Sequence, residues 1–143
     1  MRDIKFRAFY EDKMYYADKF FSGLGCDYFQ IFGEEWAFVN YEENYTMFDF
    51  NDGILMQYTG LKDKKGKDIY EGDIIRYDSD ESMNKWVRGE IAEVIYIPAR
   101  FLLRMSPFNE ISSNVNIMRN DVEDCVEVIG NIYENPELLE ETK

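Results

Sequence analysis

The chain has 143 residues, of which 45% are hydrophobic and 17% aromatic, so it can bury a core as one domain or as two small halves. Its formal net charge of -13 disfavours a protein that wraps nucleic acid by neutralising phosphates, and fits a basic partner or none. The absence of histidine excludes Ser-His and Cys-His nucleophile systems and the usual zinc sites.

The N-terminal stretch "MRDIKFRAFYEDKMYY" has no apolar core of the length that a signal peptide needs. No later run approaches the ~20 apolar residues of a membrane span, so we expect a cytoplasmic protein. Cys26 and Cys125 are too few for a disulfide framework and form no C-x-x-C pair. Both are therefore predicted to be reduced core thiols.

The first predicted strand is "IKFRAF", in which Ile4, Phe6 and Ala8 lie on one face. Lys5 and Arg7 lie on the other face, as in a half-buried strand.

Three further strands are predicted at "WAFVN", "NYTMF" and "ILMQYTG", with a turn at Phe50–Gly53 between the last two. We expect these strands to form one small antiparallel sheet. The apolar stretch Phe20–Phe29 is interrupted by two glycines and is interpreted as a loop that can hold a short helical turn.

Four strands are predicted in the second half, at "DIIRY", "KWVRGEIAEVIYI", "RFLLR" and "CVEVIGNIYE". The apolar residues of the second one do not keep one alternating phase, which predicts a bulge near Gly89 or Ala92. Such strands, set off by Gly and Asp, are typical of a small antiparallel barrel or sandwich. The final "NPELLEE" predicts a short helix, capped by Asn135, with Pro136 at its first position and Glu137 in its first turn.

The stretch "GLKDKKGKDIYEGDIIRY" suggests a phosphate cradle at first sight. A Walker loop needs G-x-x-x-x-G-K-[ST] before a helix, whereas five residues separate Gly60 from Gly66 and a strand-like run follows. We interpret the stretch as a structural corner made by Gly60, Gly66, Gly72 and Asp73, with its lysines solvated. Gly66 and Gly72 are expected at positive φ, and Asp73 is expected to bind nearby backbone amides.

Acidic clusters predict no metal site. "DFNDG" is similar to an EF-hand loop. Counted from Asp49 as the first position, however, its glycine is fifth, whereas an EF-hand loop has glycine at the sixth position. The cluster Asp78, Asp80 and Glu81 is interpreted as a solvated loop. We predict no catalytic residue, no metal and no cofactor, although carboxylates brought together by folding, as in a metal-dependent hydrolase, stay open as an alternative.

A binding face is the one other candidate. Arg76, Trp86 and Arg88 could form a stacking platform on a barrel face for single-stranded nucleic acid or a peptide. The negative net charge opposes electrostatic binding of nucleic acid by this chain.

Three blocks, "IKFRAF", "LMQYTGLKDKKGKDIYEGDIIRY" and "VEVIGNIYENPELL", occur in this order from one end of the chain to the other. In this order they resemble the YopX family of small proteins from bacteriophages and prophages. The resemblance implies a mainly β protein with an N-terminal β-rich portion, a barrel-like C-terminal portion and a place in the cytoplasm of a bacterial host. It implies no known activity.

We accordingly predict two portions, residues 1–59 and 60–143. Whether the two form one compact unit stays open. The predicted function is that of a non-enzymatic phage or prophage accessory protein that contacts a host or phage protein. The alternatives are a nucleic-acid module that uses the C-terminal barrel and an acidic protein that mimics DNA. A homo-oligomer stays open, and no membrane partner is expected.

Overall fold

We describe the protein from a computed structural model, which covers residues 5–17, 28–32, 35–40, 45–77, 91–97, 100–105 and 125–140. The fold is mainly β, with antiparallel sheets and a short C-terminal helix, as predicted. The strands are β1 (Phe6–Tyr10), β2 (Lys13–Ala17), β3 (Tyr28–Phe32), β4 (Glu35–Asn40), β5 (Tyr45–Asp49), β6 (Ile54–Lys62), β7 (Asp68–Tyr70), β8 (Asp73–Tyr77), β9 (Ile91–Ile97), β10 (Arg100–Met105) and β11 (Val126–Asn131). The helix α1 is Glu137–Glu140.

The chain divides into two compact units, Met1–Tyr58 and Thr59–Lys143. Strand β6 begins in the first unit, where its residues Ile54–Gln57 pair with β1. The same strand ends in the second unit, where β7 is its neighbour.

The first unit contains two groups of paired strands rather than the one sheet expected from the sequence. β1 pairs with both β2 and β6, whereas β4 pairs with both β3 and β5. The turn after β5 is present, since the amides of Asp52 and Gly53 both donate to the Asp49 carbonyl. It leads from one group of strands to the other, because β5 and β6 do not pair with each other in the part of the chain that the structure describes.

An aromatic core lies inside the first unit. Its buried members are Ala8, Phe29, Trp36, Phe38 and Phe48. The rings of Phe38 and Phe48 are stacked with their centroids 5.2 Å apart, and Trp36 meets Phe48 edge-on at 6.0 Å. Aromatic pairs in such geometries stabilise a core beyond the area that they bury.

Strand β1 is buried on both faces at its centre, which corrects the expectation that Arg7 faces solvent. Ala8 points to the aromatic core and is 0% exposed, yet Arg7 on the opposite face is only 2% exposed. Its cross-strand partner Met56 is 1% exposed. The alternation of charged and apolar residues therefore predicted the strand correctly. It did not predict that the face of Arg7 is buried.

The second unit is built on a four-stranded sheet in the order β10-β9-β8-β11, and one sheet of the fold is curled into a half-barrel. Its buried core consists of Ile69, Ile75, Tyr77, Ala92, Val94, Val126 and Val128. Strand β8 begins and ends at the same residues as the predicted strand "DIIRY". Ile74 and Ile75 are both 0% exposed, so the first part of this strand is covered on its two faces, whereas Arg76 after them is exposed.

The bulge predicted near Ala92 is wrong. The pairing of β9 runs without a shift from Ala92 to Ile97 along β10 and from Ile91 to Glu93 along β8. Val94 and Ile95 are both buried although they point to opposite faces, which explains the mixed phase of the apolar residues without a bulge. Gly89 lies outside the described residues. In the described residues of the second unit, a shift of register lies in β11 instead, between Val128 and Gly130.

Helix α1 lies directly behind β11, and its start differs from the predicted cap. The Asn135 side-chain oxygen accepts a hydrogen bond from the Asn131 amide at 3.3 Å, upstream of the helix. The first helical turn is held instead by the Asn135 backbone carbonyl, which accepts from the Leu138 amide. Asn135 therefore ties the helix to the strand before it.

Of the two cysteines, Cys125 is a buried free thiol, while Cys26 lies outside the described residues, as does most of the loop predicted at 20–29. Phe29 itself belongs to β3. Among the described residues, no helix is long and apolar enough to cross a membrane.

Candidate functional site

The stretch that stood out in the sequence forms a β hairpin followed by a tight turn. Strand β6 enters the hairpin, residues 63–67 form its tip, and β7 leaves it. Residues 71 and 72 then turn the chain into β8. We call residues 63–67 the hairpin tip.

Asp63 organises the hairpin tip from within. Its side chain is buried, with the residue only 4% exposed, and one carboxylate oxygen accepts hydrogen bonds from the amides of Lys65 at 2.8 Å and Lys67 at 2.9 Å. The Gly66 amide donates to the Asp63 carbonyl, which closes a four-residue turn. Hydrogen bonds to a charged carboxylate are among the stronger ones in proteins, so Asp63 is the anchor of the tip.

The hairpin tip also covers the outer edge of β11. The second Asp63 carboxylate oxygen accepts from the Val128 amide at 3.0 Å, and the Lys64 amide donates to the Val126 carbonyl at 2.9 Å. The Val128 amide and the Val126 carbonyl both point away from β8. Backbone groups of residues 126 and 128 lie on one edge of the strand, and those of residue 127 lie on the other edge. The hairpin tip therefore takes the place that a further strand would occupy and protects a sheet edge.

Gly72 and Asp73 form the tight turn into β8. Gly72 has a φ of 83°, its amide donates to the Val94 carbonyl at 2.8 Å, and its carbonyl accepts from the Ile132 amide at 2.9 Å. Asp73 is 1% exposed, and its carboxylate accepts from the Tyr70 amide at 2.8 Å. Because the Gly72 backbone bonds to residues of two different chain segments, its conformation is fixed on both sides.

The two other glycines of the predicted corner also have positive φ, 89° at Gly60 and 82° at Gly66. Gly60 lies inside the long strand β6, and Gly66 lies at the exposed tip. No heavy atom lies within 4 Å of the position that a Gly66 Cβ would take. Gly66 is therefore required for its backbone angle and not for space.

Basic side chains surround Glu127 on the exposed face of β8 and β11. Lys65 Nζ lies 2.5 Å from one carboxylate oxygen of Glu127, and Arg76 Nη2 lies 3.5 Å from the other. The hydrogen bond from Lys65 is the largest cause that lowers the pKa of Glu127, with further lowering by the charges of Lys65, Lys64 and Arg76. We call Lys64, Lys65 and Arg76 the basic cluster.

Residues 5–140 of the chain match the family model described as YopX protein. The chain belongs to the YopX family. The match includes both units and every site residue described above.

Two solved structures resemble this YopX-family chain along nearly its whole length. Protein EF1440 from Enterococcus faecalis is 28% identical, with a TM-score of 0.58 over 95% of this chain and 97% of that one. Protein yopX from Bacillus subtilis is 23% identical, with a TM-score of 0.65 over 97% of this chain and 99% of that one. No curated protein matches the chain.

Of the predicted binding face of this YopX-family chain, Arg76 lies on β8 with its side chain 52% exposed. Trp86 and Arg88 lie outside the described residues, as do Asp78, Asp80 and Glu81. The basic cluster therefore joins Arg76 to the lysines of the hairpin tip, a neighbourhood that only the fold creates.

Sequence reasoning missed Asp63, the residue that holds the predicted corner together. A signal was available, since Asp at the first position and Gly at the fourth are typical of a type I turn, and Asp63 and Gly66 have this spacing. No local signal could have shown that the same carboxylate reaches Val128, 65 residues later.

Proposed function

We propose that this YopX-family chain is a non-enzymatic accessory protein, encoded by a phage or a prophage, that acts by binding another protein of the phage or its host. The main support is the use of the buried carboxylates. Asp63 and Asp73 are both bound to backbone amides, so each of them serves the fold. Such carboxylates are poorly placed for acid or base catalysis, because they are buried and their oxygens already accept backbone hydrogen bonds.

Exposed apolar side chains on an acidic chain favour a protein partner. Among the residues that the structure describes, the large apolar side chains with the most exposure are Tyr16, Phe50, Ile54 and Tyr96. Contiguous exposed apolar patches that polar residues surround are typical of surfaces that bind other proteins, and Tyr16 and Ile54 lie on the same face of one sheet. The net charge of -13 favours a partner with basic character.

The test is affinity purification of the tagged chain from the host cells, with the tag alone as control, over a series of salt concentrations. We expect at least one specific partner whose recovery falls as salt rises. Recovery of no partner at any salt, together with turnover of a substrate by the purified chain, would contradict the proposal.

A second candidate function is binding of single-stranded nucleic acid by the basic cluster. The observation in its favour is that Lys64, Lys65 and Arg76 converge on one exposed face. Glu127 already forms ion pairs with Lys65 and Arg76, which weakens the binding of phosphate by these two side chains. A mobility shift that is lost in Arg76→Ala and kept in Lys62→Ala would support this candidate, and no shift at low salt would remove it.

A further inference from the structure

The sheet formed by β1, β2 and the first half of β6 carries apolar side chains on both faces. One face packs against the aromatic core. On the other face Met14, Phe9 and Ile54 lie opposite one another across the three strands. Ile54 is 43% exposed, and Met14 and Phe9 are partly exposed. We call these three residues the apolar row, which spans about 10 Å at the usual spacing of strands.

Tyr16 extends the apolar row along β2. It lies on the same face two residues beyond Met14 and is 54% exposed. Its cross-strand neighbour Arg7 is buried, as is Met56 next to Arg7. Among the described residues of this face, the apolar row and Tyr16 are therefore the apolar side chains with solvent exposure, and they lie toward the β1–β2 turn.

Carboxylates border the same end of the sheet. Glu11 and Asp12 form the exposed β1–β2 turn, with φ of 45° and 61°. The Tyr10 hydroxyl donates to Glu11 at 3.1 Å. This bond is the largest cause that raises the pKa of Tyr10. Asp52 stands two residues before Ile54, the cross-strand partner of Phe9, so the direction of β6 places Asp52 at the same end of the sheet. We call Glu11, Asp12 and Asp52 the acidic rim.

We propose that the apolar row and the acidic rim form a docking surface for a basic amphipathic segment of a partner protein. The apolar side chains of that segment would cover Met14, Phe9 and Ile54, while its lysines and arginines face the rim carboxylates. Buried apolar anchors supply most of the binding energy at such surfaces, and the charges supply orientation and selectivity. This proposal rests on the proposed function, since it names the chemistry of the bound protein.

Charge separates this occupant from a second copy of the chain. Two copies that cover each other's apolar rows would bring their acidic rims close together, on chains that each carry a net charge of -13. Like charges at an interface oppose association. The one basic residue of the β1–β2 turn region, Lys13, lies with its ammonium 4.9 Å from the ring centroid of Tyr15, a residue that packs on the aromatic core.

The direct test uses a fluorescein-labelled 18-residue peptide of leucine and lysine, patterned as an amphipathic helix, in anisotropy titrations of the full chain. Ile54→Lys and Met14→Lys should each weaken binding by about tenfold or more, as expected for anchor positions. Asp52→Asn should weaken it by about threefold and reduce its salt dependence. Ile54→Ser, which adds no charge, should also weaken binding and covers the case in which a lysine variant does not fold.

Matched controls come from the second unit. Tyr96 is 48% exposed and Glu134 is exposed, so Tyr96→Lys and Glu134→Gln make equivalent changes elsewhere on the surface. Both should leave the affinity within about twofold. An equal loss in Tyr96→Lys, or equally tight binding of a leucine and glutamate peptide, overturns the proposal. So does a dimer in light scattering that Ile54→Lys converts to a monomer, because that result assigns the apolar row to a second copy.

The same variants separate this proposal from the proposed function. A partner that the parent chain captures from cells and that Ile54→Lys and Ile54→Ser lose supports the docking surface. A partner that both variants retain rejects the docking surface and leaves the proposed function in place. Failure of the parent chain to capture any partner counts against the proposed function itself.

Discussion

Asp63 combines two tasks in one side chain, since one oxygen shapes the hairpin tip and the other bonds to β11. Replacement by alanine leaves three backbone amides without their acceptor. An unsatisfied buried donor costs about 1–3 kcal/mol, and here the Val128 amide is buried whereas the two tip amides are partly buried. We therefore expect Asp63→Ala to lower the free energy of unfolding by about 2–4 kcal/mol. Urea denaturation measures this loss.

Two variants define the origin of that loss. Asp63→Asn keeps one carbonyl oxygen for the tip but turns an amide group toward Val128, so it should lose about half as much stability. Asp68→Ala removes an exposed partner of Lys62 and should cost no more than about 1 kcal/mol. If Asp63→Ala were as stable as the parent, the assigned role of Asp63 would be wrong.

Gly72 tests backbone strain at the tight turn. A valine at a φ of 83° is strongly disfavoured, so Gly72→Val should lower the free energy of unfolding by roughly 1–3 kcal/mol. The double variant Lys64→Ala, Lys65→Ala changes exposed side chains and should stay within roughly 0.5 kcal/mol of the parent. Thermal melts of both proteins decide, and equal stability of Gly72→Val and the parent would remove the corner interpretation.

Glu127 provides a pH signature of the basic cluster. Its pKa is lowered in the folded state, chiefly by the hydrogen bond from Lys65. The stabilisation is therefore present above the pKa of the unfolded chain and is lost as the pH falls through the folded pKa. In a carboxyl NMR titration, Lys65→Ala should move the pKa of Glu127 upward, and Lys62→Ala should not. An unchanged titration in Lys65→Ala would show that another group holds the carboxylate.

Among the elements, helix α1 depends on a glycine in the strand before it. A Cβ at Gly130 would lie 2.6 Å from Asn135 Oδ1 and 2.9 Å from Leu138 Cδ1. Gly130→Ala should therefore push the Asn135 and Leu138 side chains aside and loosen helix α1, at a cost of about 1 kcal/mol. Faster amide exchange at Leu138 and Leu139 would locate the effect.

Gly66→Ala is the matched control for Gly130→Ala, because its Cβ would point into open space. It should cost about 1 kcal/mol through the positive φ alone and leave exchange in helix α1 unchanged. Equal exchange in α1 for the parent and Gly130→Ala would show that the helix does not need the close approach.

The elements also show how far the sequence leads. Alternating or continuous apolar runs located β1, β4, β8 and β9, because strand formation leaves a period in the local sequence. Pairing left no such local mark, so the separation of β5 from β6 and the shift inside β11 were not foreseen. The glycines of the corner were found by residue type, whereas Asp63 was missed because its key partner is distant in the chain.

For the whole molecule, the net charge of -13 implies self-repulsion that salt can screen. Screening about 1 kcal/mol of repulsion should raise the Tm by about 3 °C between 20 and 200 mM NaCl. The same salt step near the sequence pI of about 4.4 should have a smaller effect, because fewer carboxylates are charged there. An equal rise at both pH values would point to a cause other than charge.

The distance in sequence between Asp63 and Val128 sets an order of events during synthesis. The hairpin tip leaves the ribosome well before β11, because Val128 follows Asp63 by 65 residues. Until β11 has been translated, the Asp63 carboxylate and the Lys64 amide are hydrated by water. A nascent chain halted before residue 125 lacks that strand and exposes the edge of β8 that β11 would pair with. Premature termination should therefore produce fragments that proteases remove quickly, whereas chains completed through Asn131 become resistant.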